Sequence, residues 1–79
     1  QVYRMKKLRV NTADASYEQL KRIAEKCGFR TVQRRKHCRV ETPQGQWITD
    51  IPRHTKVKRP TAKGIVGMFN QFGGSVEIV

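Results

Sequence analysis

Around Gly28 the hydrophobic period of the chain changes from about 3.6 to about 2, and this switch restricts the available folds more than any other feature. Before it, Tyr17, Leu20, Ile23, Ala24 and Cys27 recur on one helical face, and Ser16 followed by Gln19 forms a capping-box pattern. Glu18 in the first turn and Lys26 in the last both suit the helix dipole. Gly28 can take the left-handed conformation that ends a helix, so a helix over Tyr17–Cys27 is predicted.

Beyond Gly28, residues alternate as in extended chain. Phe29–Arg35 and His37–Thr42 are the first two predicted strands, and Thr42-Pro43-Gln44-Gly45 supplies turn chemistry. Gln46–Ile51 is the third, closed by Pro52, which has no amide hydrogen to give to a ladder. Arg53–Arg59 is a basic loop, and a second helix starts near Pro60 or Thr61. Ala62, Ile65, Met68, Phe69 and Phe72 form its apolar stripe, and Gly73-Gly74 ends it. Gly64 and Gly67 inside this helix weaken it by about 1 kcal/mol each relative to Ala, which suggests close packing against the sheet.

This order predicts an α+β fold: a two-layer α-β-β-β-α domain with a three-stranded antiparallel sheet and both helices on one face. At 79 residues the chain is a single domain over 1–79 with a thin core over about 16–73. Residues 1–15 and 74–79 are arms or extra edge strands. Val2, Tyr3, Met5, Leu8 and Val10 stand among basic residues in the first arm, and Met5 is a candidate natural start.

Lys and Arg number 17 against 6 acidic residues, a formal charge of +11, and such an excess on a small body is self-repulsive until something anionic offsets it. Between Arg30 and Lys63 there are ten basic residues and two acids, Glu41 and Asp50. The basic residues are not set against an apolar stripe with exposed aromatics, which argues against a membrane surface. Nucleic acid is the expected partner. No apolar run is long enough to span a bilayer and no leader pattern opens the chain, so a soluble, cytoplasmic protein is expected. Cys27 and Cys38 are expected to be buried free thiols. Cys27, His37, Cys38 and His54 lack the paired spacing of a zinc site, so no metal or other cofactor is expected.

Alternation puts Cys38, Val40 and Thr42 on one face of the second strand and His37, Arg39 and Glu41 on the other, the wet and basic one. Trp47 alternates with Thr49 and Ile51, which predicts packing within the sheet in preference to stacking on a base.

The order of elements resembles the double-stranded-RNA-binding fold, and in particular its short version in HicA toxins, a family of bacterial mRNA interferases. The likeness covers about Tyr17 to Gly73. It is carried by Gly28-Phe29 after the first helix, a basic run leading to His37, and Thr42-Pro43-Gln44-Gly45 at the hairpin. Ile51-Pro52-Arg53-His54, a Lys-rich loop and a last helix stopping at Gly73 complete it. Where HicA proteins usually carry Gly-Ser or Gly-Gly before the active-site His, this chain has Arg35-Lys36, and the Lys-Pro-Gly-Thr typical of the last helix has become Lys58-Arg59-Pro60-Thr61. The resemblance implies His37 as catalytic residue, mRNA as substrate without a metal, and a HicB-like antitoxin as partner; a homodimer is also compatible with it.

Metal-free RNA cleavage needs a base for the ribose 2′-hydroxyl proton, cations to hold the phosphate, and an acid for the leaving oxygen. Imidazole ordinarily trades a proton near neutral pH, which suits His37 to the first task. The expected RNA-binding residues are Arg34, Arg35, Lys36 and Arg39 around it, His54 after the third strand, and Lys56, Lys58, Arg59 and Lys63 around the start of the second helix. Two other classes compete: a non-catalytic double-stranded-RNA or DNA-binding module of the same fold, and an interaction protein that docks an acidic partner.

Overall fold

The computed structural model describes residues 8–79. Ser16 caps helix α1 (Tyr17–Lys26) as its sequence predicts: the Gln19 amide donates to Ser16 Oγ at 3.2 Å, and the Ser16 amide donates to Gln19 Oε1 at 3.3 Å. The helix ends with Gly28 at φ +89°, where the Phe29 amide reaches back to the Ala24 carbonyl at 3.1 Å.

Strand β1 (Leu8–Val10) precedes α1; strands β2 (Arg30–Gln33), β3 (His37–Glu41) and β4 (Trp47–Pro52) follow it. The last three form an antiparallel sheet in the order β2-β3-β4. β2 is shorter than the alternation suggested, because Arg35 and Lys36 leave the ladder to form the turn that returns to His37. Helix α2 (Arg59–Gln71) comes next, then β5 (Val76–Ile78).

The two ends of the chain pair with each other. β1 and β5 run parallel as a separate two-stranded sheet, with Arg9 opposite Glu77 and their side chains 3.1 Å apart. The part of the N-terminal arm before Leu8 lies outside the described residues. Asn70 holds β5 by copying a backbone partner: its side chain accepts from the Val76 amide at 2.8 Å and donates to the Val76 carbonyl at 3.0 Å. Gly73 (φ +102°) and Gly74 let the chain turn sharply from α2 into β5. A Cβ on Gly74 would lie 2.9 Å from the Phe69 carbonyl oxygen and 3.2 Å from Cys27 Sγ.

The helices lie against one face of the three-stranded sheet. Cys38, Val40, Ile48 and Ile51 of the sheet are buried with Leu20, Ile23 and Ala24 of α1 and Ala62, Ile65, Val66 and Phe69 of α2. Each large apolar side chain enclosed here, such as Leu20 or Phe69, contributes about 1.5–3 kcal/mol through removal from water. Cys38 is buried and Cys27 half-buried, both as free thiols, and burial pushes both upward in pKa.

Two expectations about packing are corrected. Gly64 and Gly67 do not approach the sheet: both are exposed, and a Cβ at either position would meet nothing within 4 Å. The α2 stripe that faces inward is Ala62, Ile65, Val66 and Phe69, which turns both glycines to solvent. Trp47, placed in the sheet packing by alternation, is 46% exposed. A bulge explains it: β3 pairs Val40 with Thr49 but Glu41 with Trp47, so Ile48 is an extra residue in β4 and Trp47 moves to the open face. Among the described residues, no helix is long and apolar enough to cross a membrane.

Candidate nucleic-acid interface

Antiparallel pairing brings the C-terminal end of β2, the N-terminal end of β3 and the C-terminal end of β4 to one end of the sheet. His37, the first residue of β3, lies opposite Pro52, and its side chain is on the exposed face. The preceding residues form a tight turn in which the Arg34 amide donates to the His37 carbonyl at 2.8 Å, leaving exposed Arg35 and Lys36 at the tip.

Both helices begin at this same end. The Tyr17 amide, at the start of α1, donates to the His54 carbonyl at 3.1 Å. Buried Val57 then anchors the loop by donating its amide to the Ala15 carbonyl at 2.8 Å, so α2 starts close to where α1 does. The partial positive charge of two helix N-termini is thereby added to that of the side chains. Lys58 caps α2 without a side-chain hydrogen bond, and the first turn of α2 carries no acid. Its leading amides are left to solvent or to an anion.

Arg34, Arg35, Lys36, His37, His54, Lys56, Lys58 and Arg59 therefore share one end of the molecule, and all are exposed. Lys63 is exposed one turn further along α2. A shallow groove of about 310 Å³, lined by Ser16, Tyr17, Glu18, Arg53, His54 and Thr55, opens beside His54.

Arg39 differs from the other expected cations. Half-buried on the open sheet face, it donates from Nε to Glu41 Oε2 at 2.7 Å, and Arg30 approaches the other oxygen of Glu41 at 3.7 Å. Asp50 is opposite Arg39 in the ladder and accepts from Trp47 Nε1 at 3.2 Å. The middle of the open face thus holds cations beside acids. The hydrogen bond from Arg39 holds the Glu41 carboxyl below the usual carboxylate range; burial opposes this, and the charges of Arg39, Arg30 and Arg34 reinforce it.

Three residues that build this end were absent from the sequence-derived candidates. Arg53 donates its backbone amide to the Lys36 carbonyl at 3.3 Å and its Nη1 to the Arg34 carbonyl at 3.2 Å, while its guanidinium lies 5.6 Å from the centre of the Tyr17 ring. Tyr17 Oη in turn accepts from Gln33 Nε2 at 2.9 Å. Arg53 was visible as part of a basic loop and of the Ile51-Pro52-Arg53-His54 run, and Tyr17 as part of an apolar stripe, neither as a partner of the turn before His37. Among the described residues, no three of His, Cys, Asp or Glu gather in a group that could hold a metal ion.

Comparison with protein-family models, curated proteins and solved structures finds no match for this chain.

Proposed function

We propose that this chain binds RNA at the basic end of its sheet and cuts it with His37, as an mRNA interferase of the HicA kind would. The observation that carries the reading is the meeting of an exposed imidazole, three consecutive cations of the β2–β3 turn and the starts of both helices at one end of the molecule. An arrangement of the double-stranded-RNA-binding type, with a sheet backed by two helices, underlies it.

In this mechanism His37 takes the proton of a ribose 2′-hydroxyl, and the resulting oxyanion attacks the adjacent phosphorus. The bond from phosphorus to the 5′-oxygen breaks, leaving a 2′,3′-cyclic phosphate, and the departing oxygen takes a proton from an acid. His54, on the loop leaving β4, is the candidate acid. Arg34, Arg35, Lys36 and the Lys56–Arg59 cluster hold the phosphates, where their charge stabilises the extra negative charge of the transition state. Arg39 contributes less to RNA binding than the turn cations, because Glu41 already engages it. A HicB-like antitoxin that covers this end is the expected protein partner, and the cytoplasm, where mRNA is available, is the expected compartment.

Replacement of His37 by Ala should abolish cleavage of a long mRNA in the presence of a chelator while RNA binding persists. Undiminished cutting would exclude His37 as the catalyst. A second reading, a module that grips RNA or DNA without cutting it, is favoured by one feature: long Arg35 and Lys36 side chains stand beside His37 where the HicA pattern has small residues. It predicts tight, salt-sensitive binding with intact RNA after long incubation.

A further inference from the structure

The turn that presents His37 is held from outside itself. Two-residue hairpin loops match the twist of their strands when the central residues adopt positive φ, yet no non-glycine residue among those described does so. The Arg35-Lys36 turn therefore lacks the geometry that normally stabilises such a loop. What it has instead is Arg53. The backbone amide of Arg53 reaches the Lys36 carbonyl, and its side chain reaches the Arg34 carbonyl, so a single residue of the β4 exit bonds both sides of the turn.

Arg53 is itself fixed by Tyr17. The guanidinium lies over the phenol ring at 5.6 Å, the ring hydroxyl accepts from Gln33 at the base of the same hairpin, and the Tyr17 amide holds the His54 carbonyl. A closed circuit results, running from Tyr17 to Gln33, through the turn to Arg53 and back to Tyr17. It joins the segment that carries His37 to the segment that carries His54.

We propose that Arg53, seated on Tyr17, is a positioning residue that sets the His37 imidazole relative to His54 and does so through the turn, without contacting the reacting atoms. The proposal rests on the reading of His37 as the proton acceptor in RNA cleavage. A planar guanidinium can lie on a ring and donate sideways to a carbonyl at the same time; an ammonium can satisfy only part of this. Misplacement of a catalytic group by about 1 Å is enough to slow a reaction about 100-fold.

The test separates the rate of cleavage from the strength of binding. Wild type, Arg53→Gln, Arg53→Lys and His37→Ala are compared on one single-stranded RNA by single-turnover cleavage and by affinity over a range of salt. Hydrogen exchange of the Arg34 amide, which closes the turn, is followed alongside. Arg53→Gln should slow cleavage of bound RNA by about 10- to 100-fold at nearly unchanged affinity and salt slope, and should speed exchange at Arg34; Arg53→Lys should recover part of both.

Loss of affinity with a salt slope smaller by about 0.7, and unchanged cleavage once RNA is bound, would make Arg53 a phosphate contact and overturn the proposal. A wild-type protein that binds RNA and leaves it intact overturns the reading beneath it, and this proposal with it. Cleavage lost in His37→Ala but normal in Arg53→Gln overturns the positioning role alone. Should Arg53→Gln melt below the assay temperature, Tyr17→Leu carries the same comparison, since it removes the ring under the guanidinium and leaves Arg53 in place.

Discussion

The two ends of the three-stranded sheet use the same residue types to opposite effect. Toward the end where β3 finishes, Arg30 and Arg39 converge on Glu41, Asp50 lies opposite Arg39 in the ladder, and Trp47 donates a hydrogen bond to Asp50. Where β3 begins, Arg34, Arg35, Lys36 and the loop cations face solvent beside two histidines, and Arg53 bonds to backbone carbonyls. A carboxylate neutralises the cations it binds, and among the described residues no carboxylate pairs with Arg34, Arg35 or Lys36. Arginine count therefore says little about where a polyanion will lie until the partners of each arginine are known.

The largest expected effect comes from reversing charge at the turn. Arg35→Glu with Lys36→Glu should lower RNA affinity on the order of 10- to 100-fold at about 0.1 M salt, and reduce the salt slope on single strands by about 1.4 if each residue meets one phosphate. The same reversal at Arg30 should do far less, and equal losses at both ends would break the contrast.

Glu41→Gln sharpens it from the other side. The folded-state pKa of Glu41 lies below its unfolded value, so its contribution to stability is fully present above the ordinary carboxylate range, near pH 4.3, and is lost as pH falls through the folded value. The variant should melt below wild type at neutral pH, and the gap should close in acid, as followed by thermal unfolding at a series of pH values. RNA affinity should hold or rise slightly, because Arg39 is released.

Trp47→Ala should have the smallest effect. The ring is 46% exposed and donates one hydrogen bond, to Asp50, so stability should change by about 1 kcal/mol or less, with RNA affinity unchanged in a titration. A marked loss of affinity would mean that the RNA path crosses the open face and that the two ends work together.

Local rules carried the fold far. The capping box at Ser16, the turn at Gly28, the hairpin signal at Thr42–Gly45 and the strand end at Pro52 all act over a few residues, and each appears where its chemistry placed it. Trp47 escaped because a bulge inserts Ile48, and one extra residue reverses the face of everything beyond it while leaving the alternation of the sequence unchanged. Gly64 and Gly67 were misplaced because a helix interior glycine signals a close approach only if its face is inward, and which stripe of α2 faces inward depends on the sheet it meets.

The exposure of His37 was legible from period-2 alternation, since Cys38 and Val40 had to point inward. The circuit of Tyr17, Gln33 and Arg53 was not, because its members come from α1, β2 and the exit of β4 and share no spacing. Sequence alone determined the two helices and the three strands between them, the charge and the side of the strand on which the imidazole stands, because these follow from neighbours along the chain. The pairing of β1 with β5 did not follow from sequence. Tertiary structure decided which cations acids would engage, which would gather beside His37, and what holds its turn, because those outcomes depend on partners far apart in sequence that meet only when the sheet and both helices pack.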